Sequence, residues 1–195
     1  GVMNLPVRIL VDRAGIVGDD GETHHGMFDV ALLKNIPNFT LLAPSSGAEL
    51  RDMLYYASRD QAGPLAIRYP RGGIPEGSID VKKPRPFAPG KIQEVRKGRD
   101  VAIFALGDMV GVAIEAHALL EKAKISASVV NLLSIKPLDT AGIERVLKRS
   151  ASFITLENGS ITGGVGEYLL ASVSGQARAK LLFTAGFPDK FIGHG

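Results

Sequence analysis

The sequence predicts an α/β fold built from two three-layer αβα regions with mostly parallel sheets. Short, uniformly apolar runs alternate along the chain with segments whose apolar residues recur at helical spacing. Strands without a polar alternation are typical of sheets that are covered on both faces. A single stretch rich in proline and glycine interrupts the alternation near the middle of the 195 residues. With 45% apolar residues, the chain is long enough for one large domain or two small ones.

The first region contains three predicted strands, of which the first two are expected to be buried, and one well-defined helix. The strands are predicted at 7–11, 39–43 and 64–67. The helix is predicted over 46–59, because Leu50, Met53, Leu54 and Ala57 fall on one helical face. Ser45 or Ser46 is the expected cap.

The second region repeats the alternation more cleanly. Strands are predicted at 101–106, 126–131, 152–156 and 179–184, and helices at 108–122, 139–149 and 165–172. Asp108 is the expected cap of the helix at 108–122, and Pro137 and Asp139 introduce the helix at 139–149. The turn Gly163–Gly166 opens the last helix, where it either forms an anion-binding nest or allows tight packing of helix on strand, and we favour packing.

Composition divides the chain into residues 1–72, a linker over 73–99, and residues 100–195. Basic and acidic side chains number six and eight in 1–70, eight and three in 71–99, and nine and nine in 100–195. The whole positive excess therefore lies at the linker. Phe87 is the one aromatic residue in 71–99, and a stacking surface would interleave several with the basic residues, so a solvated linker is favoured over a nucleic-acid surface.

Several classes of protein are excluded. The longest apolar runs fall well short of the ~20 residues of a membrane span, and residues 1–11 do not resemble a signal peptide. The chain has no cysteine, which excludes disulfides, a thiol nucleophile and metal sites built on sulfur.

The loop over residues 12–26 carries the chemistry expected of a ligand site, because such folds bind ligands at the carboxyl ends of strands. Arg13 offers a planar fork of donors to a phosphate or carboxylate, Asp20 can accept hydrogen bonds from substrate hydroxyls, and His24 or His25 could move a proton. A plain glycine-rich turn remains an alternative. A metal could take both histidines only if the backbone bends sharply, because neighbours in an extended chain face opposite ways.

A family resemblance follows from the order and spacing of several motifs. They are Asp12-Arg13-Ala14-Gly15-Ile16-Val17-Gly18, Asp20-Gly21-Glu22-Thr23-His24-His25-Gly26-Met27-Phe28-Asp29, Ile67-Arg68-Tyr69-Pro70-Arg71-Gly72, Lys136-Pro137-Leu138-Asp139, Glu157-Asn158-Gly159 and Gly186-Phe187-Pro188-Asp189. In this order they resemble the 1-deoxy-D-xylulose-5-phosphate synthase family over almost the whole chain. The resemblance implies a transketolase-like fold, with the later part of a pyrimidine-binding domain at 1–72 and most of a C-terminal domain at 100–195.

The resemblance also implies an activity. Members use thiamine diphosphate and Mg²⁺, decarboxylate pyruvate and join the two-carbon unit to D-glyceraldehyde 3-phosphate, at the start of isoprenoid biosynthesis by the non-mevalonate route. On that template Arg13 and Arg71 bind the phosphate of the aldehyde, Asp20 lies near the bound intermediate, and His24 is the catalytic histidine. A homodimer in the bacterial cytoplasm or plastid stroma, with no nucleic-acid or membrane partner, is implied as well.

The sequence contains neither the family's activating glutamate nor its Gly-Asp-Gly metal segment with the following asparagine. We therefore expect a fragment of the enzyme, inactive alone and holding neither thiamine diphosphate nor Mg²⁺, with an uncovered edge on its first sheet. Two alternatives stay open. The chain could be the corresponding part of a transketolase or of a 2-oxo acid dehydrogenase β chain, or it could be a non-catalytic module for assembly or phosphate binding.

Overall fold

The computed structural model describes residues 1–59, 62–73 and 83–193, which form two sheets with helices packed against them. The strands of the described residues are β1 (Arg8–Val11), β2 (Thr40–Leu42), β3 (Leu65–Arg68), β4 (Gln93–Arg96), β5 (Val101–Ala105), β6 (Ala127–Asn131), β7 (Ser134–Lys136), β8 (Ser152–Ser160) and β9 (Leu181–Phe187). The helices are α1 (Asp29–Leu33), α2 (Gly47–Ser58), α3 (Met109–Lys122), α4 (Thr140–Arg149), α5 (Val165–Ser172) and α6 (Gly175–Arg178).

The first sheet has the strand order β1-β3-β2-β7. β1 and β2 both run parallel to β3, and β7 is antiparallel to β2. The prediction of a buried strand at 7–11 is wrong in its burial, since Ile9 and Leu10 of β1 are 36% and 53% exposed. β1 lies at the sheet edge and has one strand neighbour among the described residues, so its apolar side chains lack the cover given to β2 and β3.

The second sheet has the order β4-β6-β5-β8-β9, parallel throughout except for the β4–β6 pair. Helix α3 covers one face, where Val110 and Ala113 pack against Ile103. Helices α4 and α5 cover the other face, where Val146 and Leu169 share a core with the strands. The predicted fold, with mostly parallel sheets between helical layers, is confirmed.

One apolar core joins the two sheets. Leu41 and Ala66 of the first sheet belong to the same buried cluster as Phe104 and Ile143 of the second region. β7 reinforces this junction, because it follows the second sheet's β6 in sequence yet pairs with β2 of the first sheet. The Nζ of Lys136 donates to the carbonyls of Lys34 and Ile36 at 3.0 and 2.6 Å.

The structure departs from the predicted elements at several places, which include the short helices α1 and α6 that were not predicted. β4 lies within the segment predicted as a linker over 73–99, of which residues 74–82 lie outside the described residues. β7 was not predicted, because three residues ending before a proline carry little strand signal. Asp108 stands at the start of α3 but makes no side-chain capping bond. By contrast Ser46, one of the two serines expected to cap α2, accepts from the Glu49 N–H, and Asp139 caps α4 by accepting from the Gly142 N–H.

Candidate functional site

The candidate site is formed by the glycine loop, residues 12–26, which leaves β1 and crosses the carboxyl ends of β1 and β3. Ala14 donates its N–H to the Tyr69 carbonyl at 3.0 Å, directly beyond β3. At its base the loop closes on itself, because Gly26 donates to the Arg13 carbonyl at 2.9 Å and accepts from the Gly15 N–H at 3.0 Å. A Cβ at residue 26 would lie 2.3 Å from the Arg13 oxygen, so this closure requires glycine.

The loop brings three of the predicted site residues together. Arg13 Nε donates to one carboxylate oxygen of Asp20 at 2.6 Å, and Arg71 Nη1 donates to the other oxygen at 2.8 Å. Arg13 also contacts Asp12 at 3.0 Å. Two guanidinium groups separated by 58 positions in the sequence therefore share one anion.

The electrostatics of this cluster follow from the shared anion. The hydrogen bond from Arg13 lowers the pKa of Asp20, with a further lowering from Arg71, so the carboxylate stays ionised. The same bond raises the pKa of Arg13. Both guanidinium groups remain partly exposed, with 35% and 53% of the Arg13 and Arg71 side chains accessible. Donors that already hold a carboxylate and still face solvent are suited to a phosphate group.

The two histidines of the loop lie in different surroundings. His24 is exposed, and its Nδ1 lies 2.9 Å from the Thr23 hydroxyl. The His25 ring is half-buried, and its Nδ1 accepts the Val17 N–H at 3.1 Å. This bond places the proton of the neutral ring on Nε2, which is buried without a hydrogen-bond partner among the described residues. His24 is therefore the ring open to a ligand, and His25 braces the loop.

A cavity of about 550 Å³ borders this cluster. Arg71 and Asp12 form the side that it shares with the arginine cluster, and Asp108 lines it from the second region. Ser45, Ser46 and Gly47, where α2 begins, line it as well. Burial raises the pKa of Asp108, and this carboxyl accepts a hydrogen bond from the Asn158 side-chain amide.

Sequence reasoning missed the buried charge beneath the loop. Arg68, at the end of β3, is 1% exposed. Its Nε donates to Asp29 at 2.7 Å, its Nη1 to the Asn158 side-chain oxygen at 2.6 Å, and its Nη2 to the Gly26 carbonyl at 3.4 Å. An arginine that follows an apolar strand is ordinarily exposed, so the only available signal was its place within the family motif.

The glycine turn before α5 is occupied by a side chain of the protein. The Glu157 carboxylate is buried and accepts the N–H groups of Val165 and Gly166, both at 2.9 Å. Burial raises the pKa of this carboxyl despite the two bonds. Since a Cβ at Gly166 would lie 2.4 Å from the Thr184 side chain, the turn also permits the tight helix-on-strand packing that we favoured.

The described residues do not fit a metal site. No group of three or more histidine, cysteine, aspartate or glutamate side chains is arranged there to hold an ion. Within the same described residues, no helix is long and apolar enough to cross a membrane.

Two family models match the chain and define its class. The pyrimidine-binding domain of transketolase matches residues 1–76, and the C-terminal domain of transketolase matches residues 90–187. The chain belongs to the transketolase family.

Within the transketolase family, the chain is similar in sequence to one particular group of enzymes. It is 42% identical over 194 residues to the 1-deoxy-D-xylulose-5-phosphate synthase of Chlorobium luteolum, and 41% identical to the enzyme of the same name from Caldanaerobacter subterraneus. These alignments cover 100% of this chain but 30% and 31% of the relatives, so the chain spans about a third of their length. The resemblance to this synthase family is thereby confirmed.

A solved structure supports the fold assignment. The chain matches a split-gene transketolase, described as an inactive β4 tetramer, with a TM-score of 0.84 and 30% identity. The match covers 97% of this chain and 60% of that one. Because the synthases named above are more similar in sequence than this transketolase, the synthase resemblance is the stronger of the two.

Proposed function

We propose that this chain supplies the phosphate-binding part of a thiamine-diphosphate-dependent 1-deoxy-D-xylulose-5-phosphate synthase. The complete enzyme would condense pyruvate with D-glyceraldehyde 3-phosphate with loss of CO₂. The carrying observation is the convergence of Arg13 and Arg71 on one carboxylate, at 2.6 and 2.8 Å, in a loop open to solvent. The synthase relatives and both transketolase domain matches support the assignment.

In this proposal the phosphate of the aldehyde binds Arg13 and Arg71 in place of the Asp20 carboxylate. Asp20 is freed to accept hydrogen bonds from the hydroxyls of the substrate, and exposed His24 exchanges a proton with the reacting carbonyl oxygen. Thiamine diphosphate, held by other parts of the complete protein, would supply the decarboxylation chemistry. In this proposal the complete enzyme is a homodimer in the bacterial cytoplasm or the plastid stroma.

Kinetics of the complete enzyme test the arginine roles. Arg13→Ala and Arg71→Ala should each raise KM for D-glyceraldehyde 3-phosphate roughly tenfold or more, because a charge-assisted contact to the phosphate is lost. KM for pyruvate should change little. Arg149→Ala is a matched control, since this exposed arginine pairs with Glu94 at the far sheet. Equal effects on both substrates would contradict the phosphate role.

The histidine assignment has its own test. His24→Ala should lower kcat strongly, because the exposed ring is the one that can reach a substrate, whereas His25→Ala should mainly reduce thermal stability through the lost contact with Val17. Equal losses of turnover at unchanged stability would show that the choice between the two rings is wrong.

A calorimetric titration tests whether the isolated chain binds the cofactor by itself. We expect the isolated chain to show no saturable binding of thiamine diphosphate with Mg²⁺ at micromolar concentration, because its described residues present no metal-binding group. Specific binding in that range would mean that the cofactor site lies within this chain.

A further inference from the structure

We propose that Arg68 is a positioning residue that fixes the base of the glycine loop against the second sheet. Its guanidinium is almost fully buried, at the point where β3 ends beneath the loop. A buried guanidinium is retained only where hydrogen-bond acceptors surround it. The identity of those acceptors shows what the residue holds together.

Each acceptor belongs to a different part of the fold. Asp29 is the first residue of α1, just after the loop, and its second oxygen accepts the Val30 N–H at 2.8 Å. Asn158 lies in β8 of the second sheet, and its side-chain amide nitrogen donates to the Asp108 carboxyl. The Gly26 carbonyl belongs to the loop itself. One planar fork thus connects the loop, the helix after it and the second sheet, which a single ammonium group would not do.

The Gly26 contact acts on the site directly. The same carbonyl accepts the Gly15 N–H, and the Gly26 N–H donates to the Arg13 carbonyl. Arg13 has a φ of +59°, a backbone conformation that a non-glycine residue keeps only when its neighbours enforce it. The closure of the loop at Gly26 holds Arg13 in this conformation, and Arg68 holds Gly26.

The second sheet contributes to the same end of the loop at two further points. Ser160, the last residue of β8, donates its N–H to the Met27 carbonyl at 2.8 Å. A Cβ on Gly15 would lie 3.2 Å from the Asn158 side chain, so the loop packs directly on the residue that Arg68 binds. The geometry of the phosphate-binding pair therefore depends on a contact between the two halves of the chain, and not on the loop alone.

Hydrogen–deuterium exchange of the complete protein tests this role. In Arg68→Met, which keeps most of the volume, exchange of peptides covering 12–26 should rise at least tenfold, while peptides covering β5 and β6 stay near the wild-type rate. Lys180→Met is the matched control: this lysine also binds carbonyls, those of Leu147 and Ser150, but lies far from the loop along the chain. It should leave exchange of 12–26 unchanged.

Two outcomes would overturn the proposal. They are wild-type exchange of 12–26 in Arg68→Met, and an equal rise in every peptide, which would indicate a purely structural role. If Arg68→Met does not fold, Asp29→Asn carries the test, because it keeps the shape and weakens only the charge; its increase should be smaller and confined to the same peptides.

The effect of Arg68 on substrate binding rests on the proposed phosphate-binding function. Substrate kinetics on the same variants distinguish that function from the positioning role of Arg68. Local loosening of 12–26 with a raised KM for D-glyceraldehyde 3-phosphate and unchanged KM for pyruvate supports both. Local loosening with both KM values unchanged supports the positioning role and contradicts the phosphate-binding function.

Discussion

Replacing Gly164 with alanine tests whether the turn before α5 is built around the Glu157 carboxylate. Gly164 has a φ of −75°, which any residue adopts, so the change adds no backbone strain. The new Cβ would lie 2.3 Å from the Ser160 carbonyl oxygen and 2.5 and 2.6 Å from the two carboxylate oxygens. A carbon cannot approach so closely, and the carboxylate or the turn must shift.

The cost follows from what the shift breaks. Forcing extra volume into a packed site costs about 1–3 kcal/mol. The displaced carboxylate also loses at least one of its bonds from the Val165 and Gly166 N–H groups, and a buried bond to a charged group contributes about 1.5–3 kcal/mol. We therefore expect Gly164→Ala to lower the free energy of unfolding by about 2.5–6 kcal/mol.

Urea unfolding followed by circular dichroism measures this loss. Gly111→Ala is the control, because a Cβ on this exposed glycine of α3 would have nothing within 4 Å, and the change should gain up to about 1 kcal/mol in helix propensity. A loss below about 1 kcal/mol for Gly164→Ala at unchanged m-value would refute the reasoning, because it would mean that the turn has room for a side chain. In a Glu157→Gln background the alanine should cost less, since the charge-assisted bonds are already gone.

Three further changes test a partly buried carboxyl, the apolar core and one helix cap by urea unfolding. Burial raises the pKa of Asp108, so the folded state binds the proton of this carboxyl more tightly than the unfolded state does. The contribution of Asp108 to the free energy of unfolding therefore falls as the pH rises from about 4 through the raised pKa. Asp108→Asn should flatten this pH dependence of stability, and an unchanged slope would contradict the reasoning. Phe104→Ala should cost about 3–5 kcal/mol, because the ring is fully buried and packs edge-on against Phe153; a loss under about 2 kcal/mol would mean that the core collapses around the gap. Ser46→Ala should cost about 1 kcal/mol through the lost cap of α2, and no loss would show that the Glu49 N–H finds another acceptor.

Among the strands, sequence patterns predicted most accurately those whose burial is uniform. β5 and β6 are buried along their whole length and lie between helical layers, so their composition reports their position directly. β4 shows the limit, because Gln93–Arg96 holds one apolar residue and becomes a strand through pairing with β6. β1 shows the converse: its apolar run predicted burial, whereas an edge position follows from strand order, which local composition does not encode.

The site divides in the same way. The loop over 12–26 stood out because its glycines and charges are adjacent in the sequence, and Arg71 because it belongs to the motif at 67–72 that carries part of the family resemblance. Arg68 and Asn158 escaped because their contact joins residues 90 positions apart, and each alone has the appearance of an ordinary polar residue. Asp108 was expected to cap α3, but its carboxyl turns to Asn158. Long-range hydrogen bonds of this kind become visible only in three dimensions.

The pairing of β7 with β2 sets the order in which the molecule can be completed during synthesis. Among the described residues the outer edge of β2 pairs with β7, with Leu41 opposite Lys136 and Leu42 opposite Ser134, so this edge stays open while more than ninety further residues leave the ribosome. Throughout that interval the nascent first sheet offers an unpaired strand edge to neighbouring chains. Substitutions that delay the second half should therefore appear first as aggregation of the first half, before any change in the properties of the finished protein.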